Sequence, residues 1–576
     1  MDDLVNGRMN GRVNGLVNGV VNSLVSGAMN SFVNGLENNS VKGGLRLGLI
    51  PERAAAAHGH VTVTLDHDLD ALPGTGRRLT YAGLAEHVDD LAARLWAAGV
   101  RPTEHLVVHK AANFDIYLLA CAAARIGAVP VLLSPALDGA TAGALLRRLH
   151  HPNHPNHPNH PHHPHRPQRP HLLTDDDKLR TCLAPLDLSD VAAKVLTTGP
   201  ARPGCTPLAA LAGAPRRDPV LLPADRPALM THTSGTTGLP KLVVHTAAGL
   251  YGRYAPQRTL AALIRTPETY AAHLSPVHSR MYLALAVALP KGMPLVVVGD
   301  PDPAHVADLF ARTRPGFVET HPNSFMAWEE LADDPREPLA TVRYFSSTFD
   351  ALHPPTMRRL LLASRRASPR FFQFYGQSEC GPLSGRWYTP RTVHRADGRC
   401  LGLPLPGVRV RLAAPGGRRP TRERPGAIEV RAAGRATGYF AEPERFARQL
   451  HDGWWRTGDV GYRTRFGCLH LLDREVDVLP AVGSTLEVED RLMERLPELA
   501  EVVLVPGPRK EPVPVVCTRG DVPLDPARWA SAAAEWPQLA GPVQLPLSAL
   551  PRTATMKVRR LELARSLGGA SAERTP

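Results

Sequence analysis

Hydrophobic positions near the start of the chain alternate between helical and strand spacing. Tyr81–Ala98 has apolar side chains at helical intervals and is followed by a glycine, as is typical of the end of a helix. His105–His109 and Val129–Leu133 are short apolar runs that predict strands, and Ile116–Ile126 between them predicts a buried helix. Strands that alternate with helices in this way predict a parallel α/β sheet.

The same pattern continues, after one interruption, to about Leu472. The residues beyond it are rich in proline and carry short apolar runs such as Val502–Val505. The predicted fold class is therefore α/β, with a large N-terminal α/β domain at residues 45–472 and a small C-terminal α+β domain at residues 473–576. Residues 1–44 are predicted to be an N-terminal extension.

The N-terminal extension repeats a four-residue unit, LVNG and its variants. On an α-helix a period of four drifts by about 40° per repeat, so no face stays apolar. Each Asn-Gly pair favours a turn instead. Two interpretations stay open: a poorly ordered extension outside the catalytic core, or a segment for self-association or surface docking.

A second low-complexity segment, residues 150–171, is rich in histidine and proline and interrupts the large domain. The histidines three residues apart are His151, His154, His157, His160 and His163. Polyproline II has three residues per turn, so these side chains share one face at intervals of about 9 Å. A zinc ion needs all its nitrogen ligands about 2 Å from one point. A flexible insertion loop is therefore preferred over a metal site.

The formal net charge of +13 over 576 residues allows a nucleic-acid-binding protein. However, the arginines are scattered, and no Lys/Arg block with interleaved aromatic residues occurs. We therefore expect no nucleic-acid partner.

The cysteines and the apolar runs indicate a cytoplasmic protein. The seven cysteines form no CxxC pair, which disfavours a disulfide framework or a thiolate zinc site and fits a reducing compartment. No apolar run approaches the length of a membrane span, and Asp2 and Asp3 open the chain. We expect neither a membrane span nor a secretory signal.

The sequence THTSGTTGLPK at residues 231–241 carries the strongest candidate chemistry, and it follows a predicted strand, Pro227–Thr231. Glycines let the backbone approach a polyphosphate closely. Hydroxyl and N–H groups can donate to phosphate oxygens, and Lys241 adds a positive charge. The spacing differs from that of a Walker A loop. The candidate phosphate ligands are Thr233, Ser234, Gly235, Thr236, Thr237, Gly238 and Lys241.

This loop resembles the phosphate-binding signature of the adenylate-forming (AMP-binding) superfamily. That superfamily includes acyl- and aryl-CoA synthetases, luciferases and the adenylation domains of nonribosomal peptide synthetases. The resemblance can be followed in chain order from about Leu79 to Leu563. It implies that a small-molecule carboxylic acid and MgATP form an acyl-adenylate and pyrophosphate. A thiol then displaces AMP, so the implied acceptors are CoA or the phosphopantetheine of an acyl carrier protein.

Four further segments resemble motifs of the superfamily. In FYGQSE, the resemblance implies that Tyr375 stacks on adenine and that Glu379 holds Mg²⁺. In WWRTGDVG it implies that Asp459 binds the ribose hydroxyls. In LDREVD it places Arg474 against ribose and phosphate, beside the pivot of a small mobile domain. In LPRTATMKVRRL it makes Lys557 the lysine that stabilises charge during attack on the α-phosphate.

The segment after Arg474 departs from the superfamily pattern. Val476, Pro480 and Thr485 stand where other residue types are usual. The acceptor therefore stays open, and a non-thiol nucleophile, either an amine or an inorganic ion, is the alternative. A catalytically weak relative that acts as a binding or scaffold protein is the other alternative.

His278, in SPVHSRM, matches a superfamily position near the acyl pocket and is the candidate substrate contact. Amino-acid-activating domains usually carry an aspartate nearby for the α-amino group. No acid occurs between His278 and Tyr282, which favours an acyl or aryl acid as the substrate.

Overall fold

The computed structural model of the protein describes residues 44–150, 169–233, 239–348, 352–552 and 558–570. These residues form three β-sheets with helices packed against them. The predicted α/β fold class is confirmed. The N-terminal tetrads and the central His/Pro-rich stretch, at residues 1–43 and 151–168, lie outside the described residues.

An eight-stranded sheet contains both strands predicted near the start of the chain. Its pairs are parallel except at one edge, where Leu242–Thr246 runs antiparallel to both neighbours. The phosphate loop connects Leu242–Thr246 with Pro227–His232. In spatial order the strands are Gly438–Tyr439, Leu242–Thr246, Pro227–His232, Val129–Leu132, His105–Val108, His171–Thr174, Lys194–Thr197 and Cys205–Pro207.

A fourteen-stranded sheet forms the second layer. It is parallel from Leu295–Val297 to Arg370–Gln377 and antiparallel from there to its far edge. In spatial order the strands are Arg409–Ala413, Gly426–Arg431, Trp454–Arg463, Leu469–Arg474, Cys400–Pro404, Gly381–Tyr388, Arg370–Gln377, Tyr344–Ser347, Phe317–Thr320, Tyr270–His273, Leu295–Val297, Thr62–Leu65 and Arg78–Thr80, with Leu450–His451 paired to Trp454–Arg463.

Most of the α-helices bury apolar side chains, either against the sheets or against one another. The helix Tyr81–Ala97 shows how the sequence sets the limits, because the Thr80 hydroxyl accepts from the Gly83 N–H at its start and Gly99 follows its end at φ +102°. The α-helices are Ile50–His58, Tyr81–Ala97, Asp115–Arg125, Gly139–Leu149, Asp176–Arg180, Leu188–Val191, Ala247–Ala261, Ser279–Ala288, Pro303–Thr313, Pro322–Ala327, Pro354–Ala363, Pro443–Ala447, Thr485–Arg495, Pro526–Ala533 and Arg560–Ala570. None of these helices is long and apolar enough to cross a membrane.

A three-stranded sheet lies in the C-terminal part of the chain. Its strands are Leu499–Pro506, Pro512–Thr518 and Val543–Gln544. The predicted strand Val502–Val505 is the centre of the first of these, which is longer because the polar Glu501 and the flanking proline also pair across the ladder. The domain boundary at residues 472/473 stays a prediction.

Candidate active site

A cavity of about 330 Å³ lies between the ends of the two large sheets. Its size falls in the range usual for small-molecule sites. It brings together predicted site residues that are more than two hundred positions apart in the sequence. Those that line it are Thr233, Lys241, His278, Tyr375, Glu379, Asp459 and Arg474. The other predicted site residues, Ser234, Gly235, Thr236, Thr237, Gly238 and Lys557, lie outside the described residues.

Lys241 and Glu379 meet in the cavity wall through a tyrosine, Tyr439, that the sequence motifs did not indicate. Lys241 Nζ lies 3.5 Å from Glu379 Oε1 and donates to the Tyr439 hydroxyl over 3.0 Å. The Tyr439 hydroxyl donates to Glu379 Oε1 over 2.6 Å. Burial raises the pKa of Tyr439, and the nearby Glu379 carboxylate raises it further. The phenol therefore stays protonated and holds the carboxylate in place.

Asp459 is the centre of a second polar group, together with Tyr375. The Tyr375 hydroxyl donates to Asp459 Oδ2 over 2.5 Å, and Gln377 Nε2 donates to the same oxygen over 3.3 Å. Arg474 is the strand partner of Asp459, and its Nε lies 3.7 Å from Oδ1. Asp459 is only 4% exposed, so these contacts fix the orientation of its carboxylate at the cavity wall.

His278 lies where the cavity wall meets the helix Ser279–Ala288. Its Nδ1 accepts from the Arg280 N–H over 3.1 Å. Its role as a substrate contact stays a prediction.

Next to His278, Arg280 is neutralised by an acid that is distant in the sequence. Its Nε and Nη2 donate to the two oxygens of Glu319 over 2.5 and 2.7 Å. The Tyr270 hydroxyl donates to the same carboxylate over 2.9 Å. This acid was not visible near His278 in the sequence, because Glu319 lies on a different strand. Since it is already paired with a guanidinium, it is not an open partner for a substrate amine.

A buried carboxyl group directly before Arg474, that of Asp473, contacts Thr485, one of the residues that depart from the superfamily pattern. Asp473 accepts from the Thr485 N–H over 2.8 Å and from the Thr485 hydroxyl over 2.5 Å. Thr485 thus ties the start of the helix Thr485–Arg495 to the last strand before it. Burial raises the pKa of Asp473 to about 6, although both hydrogen bonds from Thr485 oppose the shift.

We expect Asp473→Asn to change how stability depends on pH. The carboxyl stabilises the fold while it is protonated, so this contribution is present below about pH 4 and is lost as the pH rises through 6. Relative to wild type, the variant should therefore gain about 2 kcal/mol in free energy of unfolding between pH 4 and pH 7. Denaturant unfolding across this range measures the difference. The exposed Asp218→Asn is the control, and an identical pH slope in both variants would contradict the expectation.

Two carboxylates face the cavity among the described residues that line it, Glu379 and Asp459. Within the described ranges, no group of three or more His, Cys, Asp or Glu side chains could hold a metal ion. A magnesium ion needs no such group, because it binds through one or two carboxylates together with water and substrate phosphates.

Similarity to known proteins agrees with this geometry. The model of the family described as AMP-binding enzyme matches residues 51–440. The chain belongs to the AMP-binding enzyme family. The resemblance to adenylate-forming enzymes found in the sequence motifs is thereby confirmed, and the protein is an enzyme of this superfamily that activates an acid.

Two relatives illustrate the range of AMP-binding enzymes that the chain resembles. It is 50% identical to the 3-amino-2-hydroxy-4-methoxybenzoate diazotase of Streptomyces cremeus, over 90% of this chain and 95% of that protein. It is 27% identical to the 2-hydroxy-7-methoxy-5-methyl-1-naphthoate–CoA ligase of Streptomyces carzinostaticus, over 72% and 73%.

Solved structures of AMP-binding enzymes share the fold. The amide bond synthetase McbA from Marinactinospora thermotolerans superposes with a TM-score of 0.71 at 22% identity, covering 90% of this chain and 99% of that one. The anthranilate CoA ligase AuaEII, in complex with anthranoyl-AMP, superposes with a TM-score of 0.75 at 16% identity, covering 92% and 98%.

Proposed function

We propose that this AMP-binding enzyme is an ATP-dependent diazotase, which activates nitrite by adenylation and passes the nitrogen to an aromatic amine. The observation that carries the proposal is the 50% identity to a diazotase over nearly the whole length of both proteins. The CoA ligases among its relatives are only 25–28% identical. The altered segment at Val476, Pro480 and Thr485 supports an acceptor other than a thiol.

The proposed reaction has two half-reactions. A nitrite oxygen attacks the α-phosphorus of ATP, pyrophosphate leaves, and nitrosyl-adenylate forms. The lone pair of the amine then attacks the nitrosyl nitrogen, the N–O bond to AMP breaks, and the amine loses a proton. The resulting N-nitrosamine takes up a proton and loses water to give the diazonium ion. Nitrite already has the oxidation state that this product requires, so no electron donor or acceptor takes part.

The cavity residues have defined roles in the first half-reaction. Glu379 is proposed to hold Mg²⁺. Among the described residues, Lys241 and Tyr439 both contact the Oε1 atom of its carboxylate, which leaves Oε2 available to a cation. When bound, this ion neutralises charge on the phosphates. Lys241 and the phosphate loop Thr233–Gly238 are proposed to bind the phosphate oxygens. Lys557 keeps its proposed role of stabilising charge at the α-phosphate.

The nucleoside is proposed to bind at the polar group around Asp459. Asp459 is the proposed acceptor of the ribose hydroxyls and Arg474 contacts ribose and phosphate, while the ring of Tyr375 is the proposed stacking surface for adenine. The hydrogen bond from the Tyr375 hydroxyl to Asp459 supports this arrangement because it couples the two proposed contacts.

Product analysis tests the proposed function. The full chain is incubated with MgATP, nitrite and a panel of aminobenzoates at neutral pH, where nitrite alone diazotises amines slowly. We expect AMP and a diazonium product, detected as a coloured azo adduct, only when ATP, nitrite and the amine are all present. Pyrophosphate exchange into ATP should depend on nitrite without any amine.

The same assay separates the alternatives. Exchange with benzoates but not nitrite, followed by a CoA or carrier-protein thioester, would replace the diazotase by an acid–thiol ligase. ATP binding without exchange for any acid would favour a binding or scaffold protein. Both outcomes would overturn the proposal.

A further inference from the structure

Behind the cavity wall, the helix Ala247–Ala261 carries a buried arginine. The side chain of Arg253 is 2% exposed. Its guanidinium donates to four uncharged oxygens. Three are backbone carbonyl oxygens, of Gly434 at 2.6 Å, Ser378 at 3.0 Å and Glu379 at 2.9 Å, and the fourth is the Ser279 hydroxyl at 3.3 Å. Three of these residues, Ser279, Ser378 and Glu379, line the cavity.

The fold makes room for this side chain with two glycines. A Cβ atom at Gly434 would lie 2.4 Å from Arg253 Cγ, and one at Gly381 would lie 2.8 Å from its Cδ. Neither distance is compatible with a larger residue at these positions. The backbone around the cavity is thus shaped to bury a guanidinium against Ser279 and Glu379.

The charge of Arg253 is costly to bury because its contacts are neutral. Burial lowers the pKa of Arg253 to about 10, while the neighbouring Cys380 and Glu379 oppose this shift, and the guanidinium stays charged at neutral pH. The neighbouring Arg280 differs, because Glu319 neutralises it. Among the described residues Arg253 forms no direct ion pair, and the Glu379 carboxylate attracts it only from beyond salt-bridge distance. Of the two arginines, Arg253 is therefore the one whose charge no direct ion pair neutralises, so it can attract an anion in the cavity.

Ser279 links this charge to the cavity. Its Oγ accepts from Arg253, so its own hydroxyl hydrogen can be donated to another group. We propose that Ser279 and Arg253 form an oxyanion subsite, in which the Ser279 hydroxyl donates to the bound acid and Arg253 positions this hydroxyl and supplies the opposing charge. The inference rests on the proposed function, which requires an anionic acid to be held beside ATP.

The shared chemistry is a singly charged oxyanion, and two groups can supply it. One is nitrite, the acid to be activated, and the other is the carboxylate of an aminobenzoate. Binding of nitrite alone and of benzoate alone distinguishes these sources, because each probe carries only one of the two groups.

Binding measurements on variants of the full chain test the subsite. Nitrite and benzoate are each titrated by calorimetry in the presence of a non-hydrolysable ATP analogue and Mg²⁺. We expect Ser279→Ala to weaken binding of one of these anions by about tenfold, the loss of one hydrogen bond to a charged group. The KM for ATP should stay within about twofold of wild type, since the nucleotide contacts are elsewhere.

Arg253→Met and the double variant test whether Arg253 acts through Ser279. Arg253→Met should weaken the same anion by about tenfold or more, and adding Ser279→Ala should change the affinity by less than about twofold. Arg253→Lys, which keeps the charge, should recover part of the affinity. Arg258→Met, the same change at an exposed position of the same helix, is the control.

The possible results are distinct. Wild-type affinity for both anions in Ser279→Ala, or multiplicative effects in the double variant, would overturn the subsite. If Arg253→Met does not fold, Ser279→Ala alone still decides the outcome. A wild-type chain that binds neither anion would also overturn it. Nitrite binding that depends on Ser279, without any diazonium product, would retain the subsite and reject the diazotase.

Discussion

Replacing Glu379 with glutamine should lower the rate of adenylation by about 10²- to 10³-fold, because the loss of a magnesium ligand removes several kcal/mol of charge stabilisation. Glutamine has nearly the same volume and can still accept the hydrogen bond from Tyr439, which now joins Oε1 and the phenol over 2.6 Å. The change therefore removes the charge and leaves the local packing in place. Acid-dependent pyrophosphate exchange measures the rate.

The dependence on magnesium separates this role from a structural one. We expect the concentration of Mg²⁺ needed for half-maximal exchange to rise in Glu379→Gln, since the variant offers a neutral amide to the ion. Glu444→Gln, at an exposed position in the helix Pro443–Ala447, is the matched control and should behave as wild type. Full exchange by Glu379→Gln at wild-type magnesium concentrations would refute the assignment.

Replacing Asp459 with asparagine should raise the KM for ATP by about 100-fold, since two hydrogen bonds from the ribose hydroxyls to a charged acceptor are weakened. Asparagine has one acceptor oxygen where aspartate has two. Tyr375 and Gln377 both donate to Asp459 Oδ2, so an asparagine amide nitrogen at that position could not accept either hydrogen bond. The variant thus loses the charge and also disturbs the arrangement around it.

Steady-state kinetics with varied ATP measures this effect. The KM for the acid should change far less than the KM for ATP, because Asp459 is proposed to contact only the nucleoside. Asp452→Asn, in an exposed turn shortly before Asp459, is the control. Similar changes of both KM values in Asp459→Asn would indicate a general loss of structure and contradict the ribose role.

Much of the fold was predictable because its signals are local. The helix at Tyr81 and the strands at His105 and Val129 follow directly from the spacing of apolar residues. Their ends shift by one residue, since capping and the last hydrogen bonds depend on neighbours. The strand predicted at Val502–Val505 did not include Glu501. Glu501 is partly exposed, and a polar side chain at such a position fits a strand as well as a loop.

The candidate site was predictable only in part. The motif residues Lys241, Glu379 and Asp459 stood out because each belongs to a segment of unusual composition, and they line one cavity. Tyr439 could not be found in this way. It lies in an ordinary Gly-Tyr-Phe segment and meets Lys241 across 198 positions of sequence.

The sequence by itself determined the family, the order of the adenylation motifs and the segment after Arg474 in which this chain departs from the superfamily. These are properties of residue type and short spacing, and they need no knowledge of distant contacts. The tertiary structure alone decided that Tyr439 connects Lys241 with Glu379, that Glu319 neutralises Arg280 and that Arg253 donates a hydrogen bond to Ser279. Each of these depends on which strands and helices become neighbours, and a single sequence does not specify the register between elements so far apart.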